Sequence, residues 1–115
     1  MVMKMTNREV GGISVVTLYV RIVFGEGSHA LREKVKSLIA EGKKKIVLDM
    51  KNVENIDSSG LRTLVAAHLS VNSQGAAMRL CNLSSKFSEV LLLTKLTAVF
   101  QVCSTEAAAV ASFAK

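Results

Sequence analysis

The sequence predicts an α/β fold, a mixed β-sheet with about four helices packed on it. Apolar, β-branched runs alternate along the chain with stretches whose apolar residues recur at helical spacing. The chain has no proline, and its glycines fall at the joints between those stretches. An early Gly11-Gly12 pair between two strand-like runs adds an antiparallel hairpin. The 115 residues have the size of one domain, read as residues 1–115. Half of them are apolar and only 4% aromatic, so the core is aliphatic.

Taken in order, Met3 to Val10 reads as a short strand and Ile13 to Phe24 as a long one, with a break near Arg21. Ser28 can cap a helix whose apolar face is Leu31, Val35, Leu38 and Ile39, and Gly42 closes it. Lys45 to Met50 (KIVLDM) is a buried-type strand. The loop NVENID and then Ser58-Ser59-Gly60 lead to a second helix, with Leu61, Leu64, Val65 and Leu69 on one face and His68 beside them. Gly75 ends that helix. Ala77 to Leu83 is a strand, and Ser84-Ser85 opens a helix through Phe87, Val90 and Leu91. A strand near Ala98 to Val102 and an alanine-rich helix from Ser104 complete the chain. The later β-α-β steps require parallel neighbours, because a helical crossover returns the chain in the same direction.

Composition excludes several function classes. No apolar run approaches the ~20 residues of a membrane helix, so no membrane insertion is expected. The first residues are polar where a secretory signal would be apolar. Cys81 and Cys103 form no C-x-x-C pair and sit in apolar strands, which reads as buried free thiols in a reducing cytoplasm. The net charge of +6 gathers at Arg32, Lys34 and Lys36 and at Lys43, Lys44 and Lys45. Without aromatic neighbours these clusters read as solvated surface rather than a nucleic-acid site, with a residual preference for an acidic partner.

Candidate active sites fail on chemistry. Gly25 to Ala30 matches G-x-G-x-x-A, with Asp49 ending the next strand where a ribose-binding acid would stand. The plainer account is a strand-to-helix turn, a Ser28 cap and a solvated Asp49. His29 and His68 have no metal-ligand partners at zinc spacing. Ser58, His68 and Asp57 lack the G-x-S-x-G elbow, and Asp57 adjoins Ser58 instead of orienting an imidazole. The five methionines read as packing. The chain reads as a binding protein without cofactor or metal, not as an enzyme.

What remains is Ile56-Asp57-Ser58-Ser59-Gly60-Leu61, at a junction from loop to helix. One serine is explained as a helix cap. The whole set asks for more, and a hydroxyl at a helix N-terminus is well placed to carry a phosphate. At these residues the chain resembles the STAS domain family, the anti-sigma factor antagonists. Asp57-Ser58-Ser59-Gly60-Leu61 matches their D-S-[ST]-G-L run after an apolar strand (Lys45 to Met50) and loop (Asn52 to Asn55). Gly25 before the first helix, and Leu93 to Leu96 followed by Val99-Phe100, extend the resemblance over nearly the whole chain.

The resemblance implies a phosphorylation-controlled switch. The unmodified antagonist binds an anti-sigma factor that is itself a serine kinase and so frees a sigma factor. The kinase phosphorylates the first serine of the motif, and a serine phosphatase resets it. Carried over, Ser58 is the acceptor, and Asp57, Ser59, Gly60, Leu61 and Arg62 join it at the docking face. Glu26 stands for the family's acidic residue in the loop before the first helix. The chain departs from the family at Arg62, where many members have glycine, and at Val20, where a small residue is expected. Two other roles stay open at this stage. One is a STAS scaffold in a signalling complex or lipid-transport system, the other nucleotide binding through Gly25 to Ala30.

Overall fold

The computed structural model describes residues 5–18, 26–53, 58–96 and 99–113, with 26–30 and 58–60 described by their backbone. The elements are β1 (Met5–Val10), β2 (Ile13–Leu18), α1 (Glu26–Ala40), β3 (Lys45–Asp49), α2 (Ser58–Ser73), β4 (Ala77–Cys81), α3 (Ser85–Leu93), β5 (Gln101–Cys103) and α4 (Glu106–Ser112). They build one five-stranded sheet in the order β1-β2-β3-β4-β5. β1 and β2 are antiparallel, and every later pair is parallel. Parallel pairing thus begins one step earlier than the two later crossovers alone required. Val10 faces Ile13 across the hairpin, and Gly11 and Gly12 carry the two positive φ values (56° and 82°) that such a two-residue turn needs.

Side chains alternate across the sheet, so each strand contributes to two layers. Val16 and Leu18, Ile46 and Leu48, and Met78 and Leu80 face α1, α2 and α3 in the main core. α1 supplies Leu31, Val35 and Leu38, α2 supplies Leu64, Ala67 and Val71, and α3 supplies Phe87 and Leu91. Each fully buried leucine of this set contributes about 1.5–3 kcal/mol by leaving water. The opposite face is smaller: Ile13, Val15, Val47 and Cys81 pack under Ala109 of α4.

The two long helices end alike. At α1, Gly42 N–H reaches Ile39 O and Lys43 N–H reaches Leu38 O (2.9 and 3.0 Å). At α2, Gly75 N–H reaches Asn72 O and Ala76 N–H reaches Val71 O (3.1 and 3.0 Å). These are Schellman closures around left-handed glycines (φ 82° and 75°), and they drop the chain straight into β3 and β4. Ser84 caps α3 by accepting from Phe87 N–H, as the sequence predicts.

Several expectations change. Ser28 lies inside the first turn of α1 and not at its cap, since the helix begins at Glu26. The long strand is seen as Ile13–Leu18, and Tyr19 to Gly25, including Val20, lie outside the described residues. Leu69 is 59% exposed, while His68 is buried. The buried face of α2 is therefore Leu64, Ala67, His68 and Val71, with Leu61 and Val65 at its margin. β5 is Gln101–Cys103, displaced from the expected Ala98 to Val102. α4 starts at Glu106 because Thr105 provides the cap, accepting from Ala108 N–H at 3.0 Å. Cys103 is half-buried; Cys81 is fully buried, and both are free thiols.

Candidate functional site

Parallel strands send all their C-termini to one edge, where the loops that follow them meet; open α/β sheets bind ligands there. At that edge β3 ends on Asp49, buried with none of its surface exposed. This corrects the expectation of a solvated Asp49. Its Oδ1 accepts from Lys51 N–H (3.1 Å) and from Asn82 Nδ2 (3.0 Å). Its Oδ2 makes no hydrogen bond and has the exposed Lys51 ammonium 3.9 Å away. Met50 N–H donates to Cys81 O at 3.0 Å and Val53 N–H to Met50 O at 2.9 Å, so the exposed turn at Lys51 and Asn52 is pinned between two buried residues.

That pinned turn leads to the D-S-S-G-L motif. Asp57, like Asn55 and Ile56, lies outside the described residues. α2 begins at Ser58, so Ser58, Ser59 and Gly60 are its first helical residues. Neither serine precedes the helix, which corrects the reading of one of them as its cap. Leu61 is half-buried against the main core, and Thr63 and Leu64 are buried. Leu64 and Val71 anchor the helix, and this fixes the height at which its N-terminus meets the edge. Arg62 is exposed on the same turn. Within α2 itself no acidic residue occupies the first turn, where the positive end of the helix dipole lies.

Glu26 is the first residue of α1 and not a loop residue. α1 packs against α2, and both helices run back from the C-terminal edge. Glu26 and Ser58 therefore start neighbouring helices at one edge of the sheet. The structure places the starts of these two helices, the Lys51 turn and the loop at Asn82 at the same edge of the sheet, with the exposed Arg62 near the start of α2. It does not bring His68 there. His68 lies ten residues along α2 from Ser58, about 15 Å of helix rise. Its ring meets Phe100 edge-on (centroids 5.3 Å apart), and Nε2 pairs with Asn72 Nδ2 at 3.1 Å. A Ser58-His68 proton relay is out of reach.

The dinucleotide-like segment also changes meaning. Gly27 and Ser28 are helical, and Asp49 is committed to Asn82 and the Lys51 amide instead of being free for a ribose. Among the described residues no three His, Cys, Asp or Glu side chains gather as metal ligands would, and no helix is long and apolar enough to cross a membrane. Sequence reasoning missed the Asp49–Asn82 link. The available signal was an acid closing an otherwise apolar strand, since a buried carboxylate needs donors.

Comparison with known proteins places this architecture. A curated relative, BtrV of Bordetella bronchiseptica, named as an anti-sigma factor antagonist, is 24% identical over 96% of this chain and 95% of its own length. A Thermotoga maritima crystal structure named for the same role superposes with a TM-score of 0.89 at 24% identity, covering 96% of this chain and 95% of that one. Bacillus SpoIIAA in its phosphorylated form superposes at 0.72 with 18% identity, covering 96% and 99%. The STAS domain profile matches residues 4–109, and the chain belongs to the STAS domain family.

Proposed function

We propose that this chain is an anti-sigma factor antagonist, a cytoplasmic protein-binding switch and not an enzyme, with Ser58 as its phosphorylation site. The carrying observation is the D-S-S-G-L motif at the start of α2, on the edge where the β3 and β4 loops meet. Unmodified, this edge docks an anti-sigma factor serine kinase. Asp57, Ser58, Ser59, Gly60, Leu61 and Arg62, with Glu26 at the neighbouring helix start, form the contact. Likeness to relatives named for this role supports the reading, as does a relative solved in a phosphorylated form.

The energetics favour release on phosphorylation. A phosphate brings roughly −1.5 to −2 charges at neutral pH. The helix dipole at the N-terminus of α2 returns only about 0.3–1 kcal/mol, the usual range for a helix end in contact with water. Burying the same charge in an interface without a cation costs several kcal/mol, and ~1.4 kcal/mol is already tenfold in affinity. The phosphoprotein keeps its fold and loses its partner, and a serine phosphatase restores binding.

The test is incubation with the cognate kinase and ATP, phosphate mapping by mass spectrometry, and pull-down of the kinase by wild type and Ser58→Asp. Phosphate on residue 58 and loss of capture by Ser58→Asp are expected. Phosphate that persists in Ser58→Ala and disappears in Ser59→Ala would move the switch to Ser59.

A further inference from the structure

The opposite edge of the sheet, where the parallel strands begin, carries a different feature. The Schellman closures of α1 and α2 deliver Lys44 and Lys45 to the start of β3 and Ala76 and Ala77 to the start of β4. Ala77 N–H donates to Lys44 O at 2.9 Å, which fixes the two turns side by side. Between them and the end of α4 lies an open groove, lined by Lys44, Lys45, Gly75, Arg79, Ser112 and Phe113 among others.

Three cations line this groove, and among the described residues no carboxylate pairs with them. Among the described residues the ion pairs are Arg8–Glu106, Lys36–Glu33, Lys43–Glu9 and Lys51–Asp49, which leaves Lys44, Lys45 and Arg79 without a carboxylate. Two of the three are held in place. Arg79 Nε donates to Ser112 Oγ at 2.8 Å, and its guanidinium lies 4.2 Å from the centre of the Phe113 ring. Ser112 Oγ in turn donates to Ala109 O at 2.7 Å, so its orientation is fixed. The two terminal nitrogens of Arg79 are left for a ligand, in the planar fork that matches a carboxylate. Lys44 Nζ donates to Gln74 O at 3.4 Å and so meets the carbonyl end of α2.

We propose that this groove docks an acidic peptide segment of a partner protein, with Arg79 as the fixed carboxylate fork and Lys44 and Lys45 as flanking charges. An arginine already stacked and hydrogen-bonded loses little freedom when a ligand arrives, and this pre-organisation favours binding. Nucleic acid is a poorer match, because Phe113, the one aromatic residue lining the groove among the described residues, already has Arg79 stacked on its ring. A membrane is a poorer match too, because among the described residues the large exposed apolar side chains, Leu69, Leu92, Leu93, Val99 and Val102, lie outside the groove. The groove and the start of α2 occupy opposite ends of the sheet. A partner can hold both, and binding here is independent of the state of Ser58.

The experiment titrates the isotope-labelled full chain with an acetylated hexaglutamate peptide, read by amide NMR shifts and by fluorescence anisotropy. Saturable shifts are expected around residues 44, 45, 75–79, 112 and 113. Lys44→Gln with Lys45→Gln should weaken binding roughly tenfold or more. Ser112→Ala, which frees Arg79 without changing charge, should also weaken it, whereas Lys34→Gln on α1 should not. Three results would overturn the proposal: no saturable binding, an equal loss from Lys34→Gln, or tighter binding of a DNA duplex or of phosphatidylglycerol vesicles than of the peptide.

Discussion

Asn82 donates through Nδ2 to Asp49 Oδ1 at 3.0 Å, tying the loop after β4 to the end of β3. Asn82 does so from a left-handed backbone (φ 57°) that side-chain-bearing residues rarely adopt. Two costs can therefore be separated by substitution. Asn82→Gly removes a hydrogen bond to a charged group, worth about 1.5–3 kcal/mol, but is at ease at positive φ. Asn82→Ala loses the same bond and adds about 1–2 kcal/mol of backbone strain. Urea denaturation should rank alanine below glycine. Equal midpoints would show that the left-handed turn carries no strain.

The hairpin glycines make a second comparison. Gly12 sits at φ 82° and Gly11 at φ 56°, with nothing within 4 Å of where a Cβ would stand. Space is therefore not the constraint, and backbone conformation is. Gly12→Ala should cost about 1–2 kcal/mol, while Gly11→Asn should be nearly neutral in this turn. Gly11→Asn is thus the proper control for Gly60→Val in the first turn of α2, which we expect to lose kinase capture. Equal loss of capture in both, at matched stability, would remove Gly60 from the docking face.

The parts legible in the sequence are those that local chemistry decides. Gly42 and Gly75 mark helix ends because left-handed closures need them, and Ser84 marks a start because its hydroxyl meets an orphan amide. The missed parts depend on what other elements supply. Leu69 fits the apolar stripe of α2, yet the core reaches only as far as His68, because Phe100 packs on that side. Asp49 looks like a solvated strand end until Asn82, 33 residues away, is seen to bond it. In the motif, the order of residues is readable, but the helix already includes both serines, where the sequence reading used one of them as a cap.

The two thiols should differ in reactivity. Burial, with the nearby Asp49 carboxylate adding to it, pushes the Cys81 thiol up to about 12, so at neutral pH it stays protonated and inert. Cys103 is half-buried at the edge strand and is reachable. Iodoacetamide near pH 8 should label Cys103 in the native protein and Cys81 only after denaturant is added. Equal rates for both would contradict the packing of α4 over Cys81.

His68 gives the fold a pH dependence whose sign follows from its surroundings. The ring is 7% exposed, Nδ1 has no hydrogen-bond partner, and Nε2 is paired with Asn72. Protonation would bury a charge with a proton that nothing accepts, so desolvation lowers the pKa of His68 below its ordinary value. A histidine depressed in the folded state binds fewer protons folded than unfolded. Its neutral form therefore supports the fold fully above the unfolded pKa of about 6.5, and that support is lost as pH falls from there toward the folded pKa. The denaturation midpoint should drop between about pH 7.5 and pH 5.5, a window above most carboxylate titration. His68→Gln removes the titrating group and should flatten the profile over the same range, even though loss of the contact with Phe100 lowers its midpoint overall. A wild-type profile that stays flat, or a His68→Gln profile that falls just as far, would show that His68 does not set this dependence.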